Sequence, residues 1–325
     1  MLISIDVGYS QVKAMSQNGK KILFPAVKAD IAHDPTVGMF KQLGHNVKIK
    51  TFNSAQEVLV GEGALRSLNA TTTLTREKSA EIHDLFILTA AYLCGAQGRV
   101  DVAVGLPLSY YRFQRQELKN RLQKINAHVK VNDGPEKYIS ISNVEVFPQG
   151  VGLLLSDGVI MTHSGRIAVI DIGFYTTDYL LFEIIDGSPV PIPELCGSAD
   201  TGIHVASRAI SNKYQEKTGA LAPKFLLNQL ISGEPVYFKG QALDFNMELD
   251  NVLKRSTELI TQEILAVWSQ QADNISQTIL AGGGSVLLNR YLDFPNIYMP
   301  KDPVFANTEG FMTMMVNQQA VANDN

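Results

Sequence analysis

Cysteine is scarce in this 325-residue chain, in which Cys94 and Cys196 are the only two. Two distant cysteines exclude a disulfide framework and a four-thiolate metal site, and they are typical of a reducing compartment. The six histidines never approach the spacing of metal ligands. No apolar run approaches the roughly 20 residues of a membrane span, and no basic segment precedes the first apolar run. We therefore expect a cytoplasmic protein without a membrane span.

An excess of positive charge is also lacking. The chain has 28 basic and 32 acidic residues, and its net charge of −4 argues against a direct nucleic-acid surface. Two nucleotide-binding patterns are missing as well, the Gly-x4-Gly-Lys-Ser/Thr loop and the Gly-x-Gly-x-x-Gly fingerprint. The apolar share of 45% is that of an ordinary globular protein, and the length suffices for two domains.

A short turn sequence is present twice. Residues 5–9 read Ile-Asp-Val-Gly-Tyr, and residues 170–174 read Ile-Asp-Ile-Gly-Phe. Each copy follows an apolar, β-branched run that predicts a buried strand. Hydroxyl side chains follow, Ser10 in the first copy and Thr176 and Thr177 in the second. The repetition predicts a duplicated fold with a ligand held between its two copies.

Each turn offers the groups that bind a metal-phosphate. Glycine lets a phosphate approach backbone N–H groups closely, because no Cβ stands in the way. A neighbouring aspartate repels that phosphate unless a cation intervenes, so the combination indicates Mg²⁺ held by the carboxylate, often through water. Hydroxyl groups can donate to phosphate oxygens, and Lys13 can place a positive charge on them. Asp178 closes the second motif, which reads Asp-x-Gly-x-x-Thr-x-Asp.

Three consecutive glycines, Gly282 to Gly284, join an apolar strand to a predicted helix. Each glycine weakens a regular element by about 0.5–1 kcal/mol relative to alanine. Such a run is tolerable where a flat or bulky ligand meets bare backbone at the start of a helix. Together with two phosphate turns, it indicates a nucleoside pocket.

In order and spacing, these three segments resemble the phosphate-1, phosphate-2 and adenosine motifs of a superfamily that comprises actins, sugar kinases and heat-shock chaperone ATPases. The chain looks most similar to bacterial, plasmid and archaeal actin-like proteins of the ParM/StbA type. Four further segments carry the resemblance, residues 104–108, 146–150, 197–202 and 305–311. The resemblance implies an α/β fold with two actin-like (ribonuclease H-like) domains around a nucleotide cleft, each built on a mostly parallel sheet.

Each domain is expected to carry a small inserted subdomain. Domain I is expected at residues 1–148, with an irregular insertion at about 27–75, and the C-terminal helix at 303–325 is expected to complete it. Domain II is expected at residues 149–302, with its insertion at about 190–250.

The resemblance also implies a role for each site residue. Asp6 and Asp171 would organise Mg²⁺ through water. Gln149, at the start of a connecting helix over about 149–155, would orient the attacking water. A neutral amide is not a strong base, so slow hydrolysis of ATP is expected. The β- and γ-phosphates would be held by Gly8, Tyr9, Ser10, Lys13, Gly173, Phe174, Tyr175, Thr176 and Thr177. The nucleoside would be bound by Asp200, Thr201, Gly202, Gly282, Gly283 and Gly284.

One departure from the family pattern concerns the second turn. Relatives commonly carry small residues after Gly173, whereas this chain has Phe174 and Tyr175. The bulky side chains can point away while their N–H groups face phosphate, or they can narrow the pocket. The sequence leaves both readings open.

The leading hypothesis is an actin-like ATPase that binds Mg-ATP and assembles into dynamic filaments of the same chain. Plasmid or DNA segregation, with a DNA-binding adaptor protein as candidate partner, or cytoskeletal organisation would be its role. The alternative is a small-molecule, sugar-type kinase of the same superfamily. That chemistry needs a carboxylate base, for which Asp101 and Asp133 are the nearest candidates without convincing context. A chaperone-like ATPase regulator is a third and less favoured reading.

Overall fold

A computed structural model describes residues 1–31, 43–52, 54–72, 80–161 and 163–323. Tertiary contacts divide the chain into two units. Unit 1 comprises Met1–Leu106, Tyr110–Pro148 and Asn307–Asn325. Unit 2 comprises Pro107–Ser109 and Gln149–Ala306. Each unit is built on a β-sheet with helices packed against it, so the predicted two-domain α/β fold class is confirmed.

The described residues form strands and helices throughout both units. The strands are β1 (Leu2–Val7), β2 (Gln11–Ser16), β3 (Lys21–Pro25), β4 (Val27–Asp30), β5 (His45–Lys50), β6 (Ala55–Val60), β7 (Thr71–Thr72), β8 (Gly98–Leu106), β9 (Asn126–Val131), β10 (Lys137–Pro148), β11 (Ser164–Ile172), β12 (Thr177–Ile185), β13 (Ser188–Pro191), β14 (Gly197–Ala199), β15 (Val236–Phe238), β16 (Gln241–Leu243), β17 (Ile275–Ala281) and β18 (Ile297–Tyr298). The α-helices are α1 (Glu62–Leu65), α2 (Ala80–Cys94), α3 (Leu108–Leu122), α4 (Ile203–Thr218), α5 (Lys224–Ile231), α6 (Asn246–Trp268), α7 (Ser285–Leu288) and α8 (Ala306–Asn323). Short 3-10 helices lie at Val151–Leu155, Pro193–Leu195, Ser269–Asn274 and Asn289–Tyr291.

The sheet of unit 1 runs in the order β3-β2-β1-β8-β10-β9-β5-β6-β4-β7. Strands β1 and β8 pair in parallel, as do β8 and β10, and the other neighbours are antiparallel. The expectation of a mostly parallel sheet is therefore wrong. Short turns such as the one at Asn18 and Gly19 join consecutive strands, and a short turn can only produce antiparallel neighbours.

The expectation of an irregular segment at about 27–75 is wrong for its described residues. They form β4 to β7, which extend the same sheet, and the short helix α1. These strands are short and alternate only partly between buried and exposed side chains. A period-2 pattern this brief is hard to distinguish from a loop by sequence.

Helices cover both faces of the central strands in unit 1. Strand β1 is buried at every position, and the side chains on one of its faces pack with Leu85 of α2 in the main cluster. On the opposite face, α8 contributes Phe311 and Met315 to a cluster with Leu2 and Phe147. The rings of Phe147 and Phe311 stack with their centroids 6.0 Å apart. A strand covered on both sides is buried along its whole length, and in β1 this includes two polar residues, Ser4 and Asp6.

Unit 2 has the sheet order β13-β12-β11-β17-β18, and β14 also pairs with β12. Here too the sheet is mixed, since β17 lies parallel to β11 and β18 while the pairs of β12 are antiparallel. Side chains of β11 alternate between two clusters. Ile170 packs with Ile210 of α4 and Ile260 of α6, and Ile167 packs on the other face with Leu153. In the described part of the chain, no helix has the length and apolar character of a membrane span.

Replacing Phe311 tests whether α8 closes the core of unit 1. Phe311 is fully buried, so Phe311→Ala should lower the free energy of unfolding by about 3–5 kcal/mol. Val316 lies on the same helix but is 45% exposed, so Val316→Ala should change it by less than about 0.5 kcal/mol. Chemical denaturation followed by circular dichroism measures both. Equal effects of the two changes would contradict this packing.

Candidate phosphate-binding turns

The repeated turn sequence adopts the same backbone hydrogen bond in both units. The Gly8 N–H donates to the Gln11 carbonyl at 3.0 Å, and the Gly173 N–H donates to the Thr176 carbonyl at 2.9 Å. Each bond closes a hairpin whose loop has two residues. A Cβ on either glycine would lie within 2.9 Å of the carbonyl oxygen that its N–H contacts, which explains the glycine in both copies.

The two hairpins differ in the residue that lies opposite the aspartate. In unit 1, Asp6 faces Lys13 across β1 and β2, and the Lys13 Nζ lies 3.0 Å from the Asp6 Oδ2. In unit 2, Asp171 faces Asp178 across β11 and β12. Asp178 accepts a hydrogen bond from the Ser198 hydroxyl. The first turn therefore carries an ion pair at the position where the second carries two carboxylates.

The carboxylate pair of unit 2 suits a cation. Asp171 and Asp178 are both buried, and like charges directly opposite one another destabilise an antiparallel pair. Carboxylate oxygens are the ligands that Mg²⁺ prefers, and Mg²⁺ is commonly bound through one or two carboxylates with water and phosphate completing its shell. Among the described residues, no group of three or more acidic, histidine or cysteine side chains could hold a metal alone. Two carboxylates would fit a Mg²⁺ ion whose remaining ligands are phosphate and water oxygens.

The glycine run Gly282 to Gly284 packs beside Asp171. Ala281 pairs with Asp171 across the parallel strands β17 and β11, so the glycine turn and the second hairpin leave the same edge of the sheet. Gly282 has a φ of +87°, and a Cβ there would collide with the Asp171 carboxylate and the Ile172 carbonyl. The Gly284 N–H donates to the Ile172 carbonyl at 2.9 Å. A Cβ on Gly283 would meet no atom within 4 Å, so Gly283 faces open space.

The predicted nucleoside segment at residues 200–202 is tied to the second turn. The Thr177 hydroxyl donates to the Thr201 carbonyl at 2.7 Å, and the Thr201 hydroxyl donates to the carboxylate of Glu263 on α6. Thr177 and Thr201 are buried. The Thr177 side chain thus braces the turn from inside, whereas Thr176 is only half-buried. Gly202 directly precedes α4.

Gln149 lies in a turn that follows β10. The helix expected over about 149–155 is a 3-10 helix that begins two residues later, at Val151. Gln149 is half-buried.

Each unit brings together a subset of the predicted site residues. Unit 1 brings together Asp6, Lys13 and the loop at residues 8–10. Unit 2 brings together Asp171, the loop at 173–177, the segment at 200–202 and the glycine turn.

His204 contacts the second turn, and the sequence reasoning assigned it no role there. Its ring lies 5.0 Å from the ring of Tyr175, which in turn packs edge-on against Phe174 at 5.0 Å. Burial raises the pKa of the Tyr175 phenol, so this hydroxyl is protonated at neutral pH. The sequence feature that could have indicated this contact is the position of His204, two residues after Gly202 and at the start of α4.

Comparison with known proteins places these features in a family context. A family model described as "Actin like proteins N terminal domain" matches residues 4–152, and one described as "Archaeal actin homologue MreB-like, C-terminal" matches residues 169–293. An archaeal actin homolog of Thermoplasma acidophilum is 26% identical over 326 residues, covering 96% of this chain and 97% of that protein.

Solved structures of actin-like proteins are also similar to this chain. A 15-stranded ParM filament from Clostridium botulinum has a TM-score of 0.88 with 25% identity, covering 97% of this chain and 99% of that chain. An archaeal actin homolog in complex with ADP has a TM-score of 0.81 with 26% identity, again covering 97% and 99%.

Gly282 and Gly283 form a matched pair for testing the glycine turn. Gly282→Ala forces a side chain onto the Asp171 carboxylate at a positive φ, so it should lower the free energy of unfolding by more than about 1 kcal/mol. Gly283→Ala enters open space and should change it by less than about 0.5 kcal/mol. The single tryptophan, Trp268, is buried in unit 2, so its fluorescence during denaturation measures both. Equal stability of the two variants would contradict this packing.

Proposed function

Because this chain belongs to the actin-like proteins, we propose that it is an ATPase that binds Mg-ATP and assembles with copies of itself into dynamic filaments. The observation that carries the proposal is the duplicated hairpin, with Lys13 beside Asp6 in one copy and Asp171 facing Asp178 in the other. Nucleotide binding is supported by the related archaeal actin homolog solved with ADP. Self-assembly is supported by the ParM filament.

In this proposal the loops of both hairpins contact the phosphates of the nucleotide. Main-chain N–H groups of the loops at residues 8–10 and 173–176 donate to phosphate oxygens, and Lys13 adds a positive charge. The carboxylates of Asp6 and Asp171 would hold Mg²⁺ through its water molecules. When bound, Mg²⁺ supplies the positive charge that offsets the charge developing on the transferred phosphoryl group. The buried Thr177 hydroxyl keeps the second loop in place.

Gln149 is the residue that we propose to orient the attacking water. It follows β10 directly and is half-buried rather than enclosed. An amide can accept and donate hydrogen bonds to a water molecule without removing its proton, so hydrolysis should be slow. Slow hydrolysis suits a protein that must remain assembled before its nucleotide is spent.

The nucleoside is proposed to bind at the glycine turn and at the segment that precedes α4. Gly283 faces open space, where a base or ribose can approach bare backbone, while Asp200, Thr201 and Gly202 lie beside the second hairpin. We also propose the two domains as residues 1–148 with 303–325 and residues 149–302, each supplying one hairpin. We also propose a cytoplasmic role in plasmid or DNA segregation, with a DNA-binding adaptor protein as partner, or in cytoskeletal organisation, and this part rests on the resemblance of the sequence motifs alone.

Sedimentation with different nucleotides tests the proposal. Assembly should occur with Mg-ATP and persist with a non-hydrolysable analogue, because both keep the third phosphate that contacts the hairpins. ADP should support little assembly. The readout is the protein pelleted at high speed, together with released phosphate. Absence of nucleotide-dependent assembly would contradict the filament, and ADP release that depends on a hexose would favour the kinase instead.

Two aspartate variants make this experiment specific to the site. Asp171→Asn removes a buried carboxylate from the second hairpin and should slow phosphate release on the order of 10²-fold. Asp186→Asn, at an exposed turn of the same unit, should leave the rate unchanged. Equal rates for the two variants would show that Asp171 is not part of the site.

A further inference from the structure

The start of helix α4 donates hydrogen bonds to backbone carbonyls of the second hairpin. The main-chain N–H of His204 donates to the Phe174 carbonyl at 2.8 Å, and the Nδ1 of the same residue lies 3.1 Å from that oxygen. A carbonyl only accepts hydrogen bonds, so the Nδ1 carries the proton. The preceding residue, Ile203, donates its N–H to the Gly173 carbonyl at 3.2 Å. Two consecutive carbonyls of the loop are therefore held by two consecutive residues of α4.

The imidazole is suited to a fixed role. Burial, with a smaller contribution from the Arg208 charge, lowers the pKa of His204, outweighing the Phe174 carbonyl and the Asp200 charge, which raise it. The ring is therefore neutral at pH 7 and has a single N–H. That N–H points at the Phe174 carbonyl, which leaves the Nε2 as an acceptor.

These contacts determine where the loop N–H groups point. A trans peptide unit directs its carbonyl and its following N–H in opposite directions, and the described peptide bonds are trans. Because the carbonyls of Gly173 and Phe174 point at α4, the N–H groups of Phe174 and Tyr175 point away from it. These N–H groups belong to the loop that is proposed to hold phosphate.

The close approach of α4 depends on Gly202. A Cβ at this position would lie 2.6 Å from the Phe174 carbonyl oxygen and 2.8 Å from the Gly173 carbonyl oxygen. The rings of Phe174, Tyr175 and His204 pack together, so the bulky side chains contact α4 while the N–H groups face the other way. This arrangement accommodates two large residues in the second turn.

We propose that His204 is a positioning residue that holds the peptide unit between Phe174 and Tyr175 so that the Tyr175 N–H binds a nucleotide phosphate. This inference rests on the proposed function. The imidazole acts through the loop and does not itself contact the nucleotide.

Two substitutions separate this role from simple packing. In His204→Asn the amide nitrogen takes the place of Nδ1, so the side-chain donor is kept while the ring is lost. In His204→Leu the bulk is largely kept and the donor is lost. Affinity for Mg-ATP, measured by displacement of a fluorescent nucleotide, should fall roughly three- to tenfold in the leucine variant, as expected for one lost hydrogen bond. The asparagine variant should recover most of it.

A packing role predicts the opposite order, with leucine tolerated better than asparagine, and that result would overturn the proposal. Nitrogen-15 NMR of the full chain without nucleotide supplies a second readout. The His204 imidazole should carry its proton on Nδ1. A proton on Nε2 would overturn the positioning role, whatever the measured affinity for nucleotide. If the natural chain binds no Mg-ATP, the proposed function fails. If it binds and His204→Leu binds equally well, the positioning role alone fails.

Discussion

The buried carboxylate of Asp171 is the constraint on which the site in unit 2 depends. It faces Asp178 across the hairpin, and Gly282 packs so closely against it that no other residue fits there. Buried like charges are costly unless they are compensated. Strand β17 and the glycine turn lie beside this carboxylate, and the start of α4 contacts the following loop through main-chain N–H groups and the His204 ring.

The two hairpins show how one backbone arrangement can serve different electrostatic purposes. Both are closed by the same glycine N–H hydrogen bond. The residue opposite the aspartate is Lys13 in unit 1 and Asp178 in unit 2. The first hairpin therefore has a positive charge opposite its aspartate, whereas the second has another carboxylate at that position.

The position of the turns could be predicted from the sequence because they are local, whereas the binding roles of their residues stay predictions. The repeated Asp-x-Gly pattern and the run Gly282 to Gly284 each follow an apolar strand, and local rules suffice for them. The sheet order was not predictable, because pairing between β5 and β9 depends on residues far apart in the chain. The hydrogen bonds from Thr177 to Thr201 and from His204 to Phe174 could not be predicted from the sequence for the same reason. Such contacts exist only once α4 is folded against the sheet.

Hydrogen exchange followed by mass spectrometry tests the proposed function most directly, because in that proposal the loops of both hairpins take part in nucleotide binding. Addition of Mg-ATP should slow amide exchange in peptides that contain residues 8–11 and in peptides that contain residues 173–176. The exposed hairpin between β15 and β16 should exchange as before. Protection of both turns is the predicted result, and protection of only one of them, or of neither, would contradict the account.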